Sequence, residues 1–460
     1  MRIPFALSLV LLLGACSSST IDTPAPHTPP ARIQIAKHTA PTSGVAAQLD
    51  MRGEQALALL QGWYNDKTID CGGIDKPAYL CSGVWVRLTT TNRAYLPWDP
   101  SPGAITKGGL SFAWLRQDQT FSTILVEARN GLLFYPNERA PAGKYALDVL
   151  CTFPRDANTW ERETLQGCGP SQANPETTAP CQALGIRDAR QWIAQYGDYA
   201  PPCGWDLRRK AGSPSRWFNA SVVAHQTSSD RVWRANNELI VRAWKPGTGA
   251  ALPLVAFVYL GGWNNELESR TKAWIDQIRY YQAYGVALPI IRVELPQTRG
   301  QPVTFSYAAN DQGLDPANQA LHADFEDVTV GIHRRVISNG LEFQLTEPSG
   351  QVRDEPLPSA SIKGHYAVAN ATLSFGVKRQ GPVRVTFDWG CNEYCYAAES
   401  MNDTFAELYD GAAPGQMHFG TYSVVVEAPE HITLGSLGEA DTRIVLDNVR
   451  IEPIERPAQR

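Results

Sequence analysis

The chain has 460 residues, a net charge of −5 and acidic and basic residues mixed along its length. That balance gives no basic footprint, so nucleic acid is not expected as a partner. Its 13 Trp, 17 Tyr and 14 Phe can fill the cores of two domains.

The chain opens on Met1-Arg2, an apolar run from Ile3 to Leu13, and Gly14-Ala15-Cys16. This reads as a signal peptide over residues 1–15, with a run too short to span a bilayer permanently. A cysteine directly after Leu13-Gly14-Ala15 resembles the bacterial lipobox, so Cys16 is the expected lipidation site and the membrane an expected partner through that anchor. Ser17 at the next position fits passage to the outer membrane or cell surface rather than retention. Residues 16–47 are rich in Ser, Thr, Pro and Ala and read as a disordered tether.

Eight further cysteines remain in this exported reading: Cys71, Cys81, Cys151, Cys168, Cys181, Cys203, Cys391 and Cys395. An even set implies disulfides, whose connectivity sequence alone does not give. Near-neighbour pairing in that order is the expectation. Neither CxxC nor HxxxH spacing occurs, which argues against zinc.

From Asp50 onward Leu57, Leu60, Trp63 and Tyr64 have helical spacing, ending before Asn65-Asp66. Leu80 to Thr89 alternates as a strand that carries Arg87 on one face, and the prolines at 97, 100 and 102 force a loop before Gly108-Gly109. Short strands are predicted from Phe121 to Val126, Leu132 to Tyr135 and Ala146 to Phe153, and a helix from Asp188 to Tyr196. Further on, Glu238 to Trp244 and Leu254 to Tyr259 read as strands, Glu266 to Tyr284 as a helix, and Val286 to Leu295 and Val303 to Tyr307 as strands. Without a regular βαβ repeat, residues 48–308 are expected to form an α+β domain. Residues 309–321 lose the strand pattern and read as a linker. Over 322–455 the short alternating runs at 341–345, 371–378, 383–389, 422–427 and 443–451, with no long helix, predict an all-β sandwich.

Three stretches of the first domain carry a resemblance: Cys81-Ser82-Gly83-Val84-Trp85-Val86-Arg87, Trp98-Asp99-Pro100-Ser101-Pro102 and Gly108-Gly109-Leu110-Ser111-Phe112. With Asp70-Cys71-Gly72, Pro77 to Cys81 and Gly167-Cys168-Gly169, they resemble the bacterial halovibrin family over roughly residues 48–308. The resemblance implies an exported NAD glycohydrolase or mono-ADP-ribosyltransferase with an ADP-ribosyltransferase-like fold and NAD as substrate. Toxins that transfer ADP-ribose use an arginine on a first strand, a Ser-Thr pair and a glutamate of an E/Q-x-E motif. Here the matching positions are Arg87, Ser122 with Thr123, and Glu238, although Asn236 stands where the first acid of the motif belongs. Asn236 favours water or another acceptor over arginine. Glu161-Arg162-Glu163 is a literal E-x-E but has no apolar strand after it.

These residue types suit the chemistry. Cleaving nicotinamide from ribose builds an oxocarbenium-like cation, which a carboxylate at Glu238 would stabilise. Arg87 would grip the diphosphate with paired charged hydrogen bonds, and Ser122 and Thr123 would orient the ribose. The competing structural readings are ordinary: a strand arginine is most often solvated or paired, and Ser-Thr is common strand composition.

The last domain opens on Ala323-Asp324-Phe325-Glu326-Asp327 and closes on Arg443 to Ile451. That pairing resembles jelly-roll carbohydrate-binding modules, which implies calcium shared by Glu326 and Asp447 and a glycan or protein partner. Trp389, Tyr394, Tyr396 and Tyr409 are candidates for a sugar-binding face, with Trp389 equally readable as core. Two functional readings follow: a lipid-anchored NAD-cleaving enzyme with an appended module, or a non-catalytic envelope or adhesion lipoprotein.

Overall fold

The computed structural model describes residues 43–89, 95–124, 128–157, 159, 162–163, 168, 179–197, 202–208, 212–263, 266–314, 322–345, 350–359, 361–399, 404–409, 411, 415–436 and 443–454. The lipidation expectation at Cys16 lies outside them, as do Glu161 and the end of the strand predicted at 121–126.

Helix α1 (Ser43–Asn65) begins inside the segment read as tether. Val45 and Leu49 explain the difference: both are buried in one cluster with Ile278, Ala287 and Leu314, and this burial holds a turn that composition alone marks as loop. Further along α1, Leu60, Trp63 and Tyr64 pack on a sheet. Strand β1 (Val84–Leu88) follows, then α2 (Pro102–Lys107), β2 (Gly109–Leu115), β3 (Asn130–Phe134) and β4 (Val149–Phe153). Ser101 Oγ caps α2 by accepting from Ala104 N at 3.2 Å, with Pro102 at the first helical position.

Helix α3 (Ala189–Tyr196) is capped by Asp188, whose carboxylate accepts from Gln191 N at 2.9 Å. Next come β5 (Trp205–Asp206), α4 (Pro214–Thr227), α5 (Asp230–Arg234), β6 (Glu238–Arg242) and β7 (Leu254–Leu260). Helix α6 (Glu266–Tyr284), β8 (Ile290–Glu294) and β9 (Thr304–Ser306) complete this half.

The nine strands form one sheet in the order β5-β4-β6-β2-β1-β3-β7-β8-β9. Only β7 and β8, joined through α6, are parallel, so the α+β reading fits and a doubly wound sheet does not. Gly131 lies opposite Leu88, and a Cβ there would come within 2.1 Å of Arg87 O, so glycine permits β1 and β3 to close together. On one face Trp85, Phe112, Trp114, Phe134 and Phe257 pack under α4 and α6; on the other Val84, Val86, Leu115 and Val258 pack under α1. Of the stretch read as a linker, residues 311–314 are packed. Asp311 accepts from Tyr259 Oη at 2.7 Å and Gln312 Oε1 from Ile290 N at 2.7 Å.

The last eleven strands are β10 (His322–Ala323), β11 (Gly331–Ile332), β12 (Arg335–Ser338), β13 (Leu341–Leu345), β14 (Gln351–Arg353), β15 (Tyr366–Ala369), β16 (Thr372–Cys391), β17 (Cys395–Glu399), β18 (Thr404–Tyr409), β19 (His418–Ser436) and β20 (Ile444–Pro453). The runs predicted at 371–378 and 383–389 are two ends of the single strand β16. It pairs with β19 along its length, with the register shifting between Val377 and Gly381. Before the shift β16 also pairs β13; after it, β20. One long bent pair therefore serves two layers, and Phe343, Phe375, Phe387, Leu434 and Leu446 fill the single core between them. That is a β-sandwich.

All four disulfides join near neighbours: Cys71 with Cys81, Cys151 with Cys168, Cys181 with Cys203, and Cys391 with Cys395.

Candidate functional site

Arg87 lies on a strand as expected, but inward. Its side chain shares the face of Trp85, Nη1 donates to Pro97 O at 2.8 Å, and its guanidinium lies 5.8 Å from the centroid of the Trp244 ring. Only 6% of the residue is exposed, and burial pulls its pKa down to about 10. Asp99 stands close enough to oppose that shift, while itself accepting from Gly247 N at 3.0 Å.

Glu238 opens β6 and is 1% exposed. One carboxylate oxygen accepts from Ala157 N at 3.1 Å and the other has no hydrogen-bond partner. The register decides whether the two charges can meet. Val86 pairs with Ala113, and Phe112 pairs with Leu239. Because side chains alternate along a strand, Arg87 shares the face of Phe112 and Leu239, whereas Glu238 shares that of Ala113 and Val86. The two groups point to opposite sides of the sheet. The arrangement expected from the resemblance, with both on one dinucleotide, is therefore corrected: one residue of register separates them by the thickness of the sheet.

Ser122 and Thr123 fall on the side of the chain that leads into β6. Thr123 forms a parallel bridge with Ala235 and its N–H donates to Arg234 O at 3.0 Å, while Ser122 Oγ donates to Arg234 O at 3.3 Å. The Ser-Thr pair thus approaches the lead into Glu238 and stands apart from Arg87.

In the sandwich, β10 pairs β20, which draws the two acidic ends together. Glu326 accepts from His365 N at 2.8 Å, and Asp447 accepts from the N–H of Lys363, so both reach the turn at 363–365. Asp447 is buried, and burial with the carboxylates of Asp388 and Asp324 pushes it up to about 7. The Asn448 amide bridges Asp388 at 2.9 Å and Asp447 at 3.3 Å. Carboxylate oxygens suit a hard cation, but the Asn448 carboxamide turns its N–H, not its oxygen, toward Asp388 and Asp447. Among the described residues, the one grouping of three ligand side chains close enough to hold a metal is Cys71, Cys81 and Glu138, whose sulfurs are joined in a disulfide; no three of the sandwich carboxylates approach one another that closely.

Of the aromatic candidates, Trp389 is core, 8% exposed among Phe387, Cys391 and Leu446. Tyr394 and Tyr396 are half-buried, 6.5 Å apart between ring centroids, and Phe405 continues the row 4.6 Å beyond Tyr396. Cys395 and Ala397 turn into the core, so Tyr396 between them must face outward, and Phe405, opposite Ala398, shares that side. The Tyr396 ring lies across Gly435, where a Cβ would come within 2.4 Å of it. Phe405 is 54% exposed and was missed in the sequence because strand aromatics usually signal core. Tyr409 instead stacks on His418 at 4.0 Å.

No protein-family model matches this chain and no curated protein matches it; neither comparison returns the halovibrin family. Among solved structures, the chain is similar to a Family 16 Carbohydrate Binding Module-2, with 10% identity over 23% of this chain and 85% of that one, at a TM-score of 0.17. It is also similar to the CBM22-1 xylan-binding domain from Paenibacillus barcinonensis Xyn10C, with 11% identity over 29% and 92% at a TM-score of 0.18. A third is the K3 cleaved adhesin domain of Lys-gingipain from Porphyromonas gingivalis, with 15% identity over 29% and 96% at a TM-score of 0.19. Scores this low carry no weight for ligand or activity, and the sandwich stands on its own strand register.

Proposed function

We propose that the protein is an exported, lipid-anchored envelope protein that binds glycans through its β-sandwich. The observation that carries this reading is the outward row Tyr394, Tyr396 and Phe405, with Phe405 54% exposed on a regular strand. Leaving such a ring in water is unfavourable unless something covers it. A row of apolar ring faces, with phenolic hydroxyls on Tyr394 and Tyr396, suits the C–H face of sugar rings. Calcium held by Glu326 and Asp447, which both reach the turn at 363–365, would join the two ends of the sandwich. The direct test is a glycan array with the full chain against Tyr396→Ala and Phe405→Ala. Undiminished binding by both variants removes the row from the reading, and an empty array removes the reading.

A second reading, cleavage of NAD, is favoured by one observation: Ser122 and Thr123 approach the lead into Glu238, whose buried carboxylate keeps one oxygen unpartnered. In this reading NAD is the substrate and Glu238 stabilises the ribosyl cation, without Arg87, which faces the other side of the sheet. Nicotinamide release by the full chain, compared with Glu238→Gln, tests it; a rate of zero in the parent ends it.

A further inference from the structure

At one end of the sandwich, the ends of β14 and β15, the start of β20 and the turn between β16 and β17 enclose a cavity of about 410 Å³. That volume lies in the range of small-molecule sites. Arg353 and Arg443 bring two guanidinium groups to its lining, Asn370 and Asn392 bring two carboxamides, and Val368 and Met417 supply an apolar floor.

The charge is unbalanced toward positive. Arg353 Nε donates to Gln351 Oε1 at 2.7 Å, and its nearest carboxylate is Glu355 at 3.5 Å, which is 71% exposed and screened by water. Arg443 is held by its backbone, whose N–H donates to Asn392 Oδ1 at 2.7 Å, and its guanidinium forms no ion pair among the described residues. A guanidinium recognises a planar carboxylate with two parallel N–H bonds. The Asn370 carboxamide carries a donor and an acceptor together, which matches a sugar hydroxyl, while Asn392 Oδ1 is engaged by Arg443 N. An inorganic anion would use the arginines and leave the Val368 and Met417 floor idle. Asn392 also lies two residues before Tyr394 on the turn closed by the Cys391–Cys395 disulfide, so the cavity and the aromatic row share one rigid turn.

We propose that this cavity binds the carboxylate-bearing ring of an acidic oligosaccharide, a uronic-acid polymer, whose neighbouring rings run toward Tyr394 and Tyr396. The inference rests on the glycan-binding reading and names its substrate class. Calorimetric titration of the full chain with a trigalacturonate, a neutral galactose trisaccharide and inorganic phosphate tests it. The trigalacturonate binds saturably; Arg443→Gln and Arg353→Gln each weaken it about tenfold to a hundredfold, as expected for loss of a charged hydrogen bond, and Phe405→Ala weakens both saccharides. If the neutral trisaccharide binds as tightly as the acidic one, or the arginine variants bind like the parent, the cavity assignment fails while the glycan reading survives. Phosphate binding as tightly as the trigalacturonate overturns it in favour of a simple anion site. No binding by either saccharide overturns the cavity assignment, and the glycan reading then falls only with an empty array.

Discussion

The two halves of this chain dispose of their polar and aromatic side chains in opposite ways. In the nine-stranded sheet, Arg87 and Glu238 are inside, one under Trp244 and the other beyond the strand plane, and the indoles of Trp85, Trp98 and Trp114 are fully covered. In the sandwich the core is filled by Phe, Leu and Val, while Phe405 and the arginines around the cavity remain at the surface. The difference teaches that residue type alone does not mark a site. An arginine on a strand became core and a phenylalanine on a strand became surface, because the period-2 register, not the side chain, chooses the face.

The largest effect that sharpens this contrast is at the seam between the halves. Arg270 is buried and pairs with Asp311 at 3.0 Å and with Glu342 of β13. Arg270→Ala leaves those carboxylates without it, and urea unfolding should show a loss of about 3–5 kcal/mol. A loss below 1 kcal/mol would mean that water enters the seam. Next in size, Phe405→Ala should cut saccharide affinity about tenfold while leaving the urea midpoint nearly unchanged, since an exposed ring contributes little to folding. Were the midpoint to fall with the affinity, the row would be structural.

Calcium should raise the melting temperature of the parent chain at pH 8 but not that of Asp447→Asn. Without calcium, that variant should be the more stable of the two at pH 8. The native pKa of Asp447 is raised to about 7, so its contribution is present at low pH and lost as pH rises through that value. The smallest effect has the other sign. Burial lowers His225 and His431 to about 4 from 6.5, with Glu268 and Lys272 near the latter. Between pH 6.5 and 4 the unfolded chain binds protons that the native chain does not, so stability falls as pH drops. His431→Gln should flatten that slope in urea titrations; an unchanged slope would assign it to other groups.

Much of the scaffold was legible in the sequence. Helix α6 and strand β13 fall at the predicted residues, and the four disulfides pair as spacing suggested, because long periodic segments and short loops leave few alternatives. Helix α4 was not legible: its buried face mixes Ser215, Ser221 and His225 with Phe218 and Val222, which blurs the apolar period. The candidate site was less legible still. Whether Glu238 and Arg87 share a face depends on how β2 pairs on both sides, a long-range fact that no local pattern encodes.

Helix α6 has one more consequence. Its backbone N–H at Leu267 donates to Gln344 Oε1 at 2.6 Å, and Lys378 of the sandwich lies 4.1 Å over the Trp274 ring while its ammonium donates to Asn310 O at 2.8 Å. A pull applied to the sandwich by whatever it holds therefore loads the larger sheet directly, through a shared wall rather than along a slack connector. A fragment cut at either side of that wall would expose Trp274 and lose these contacts.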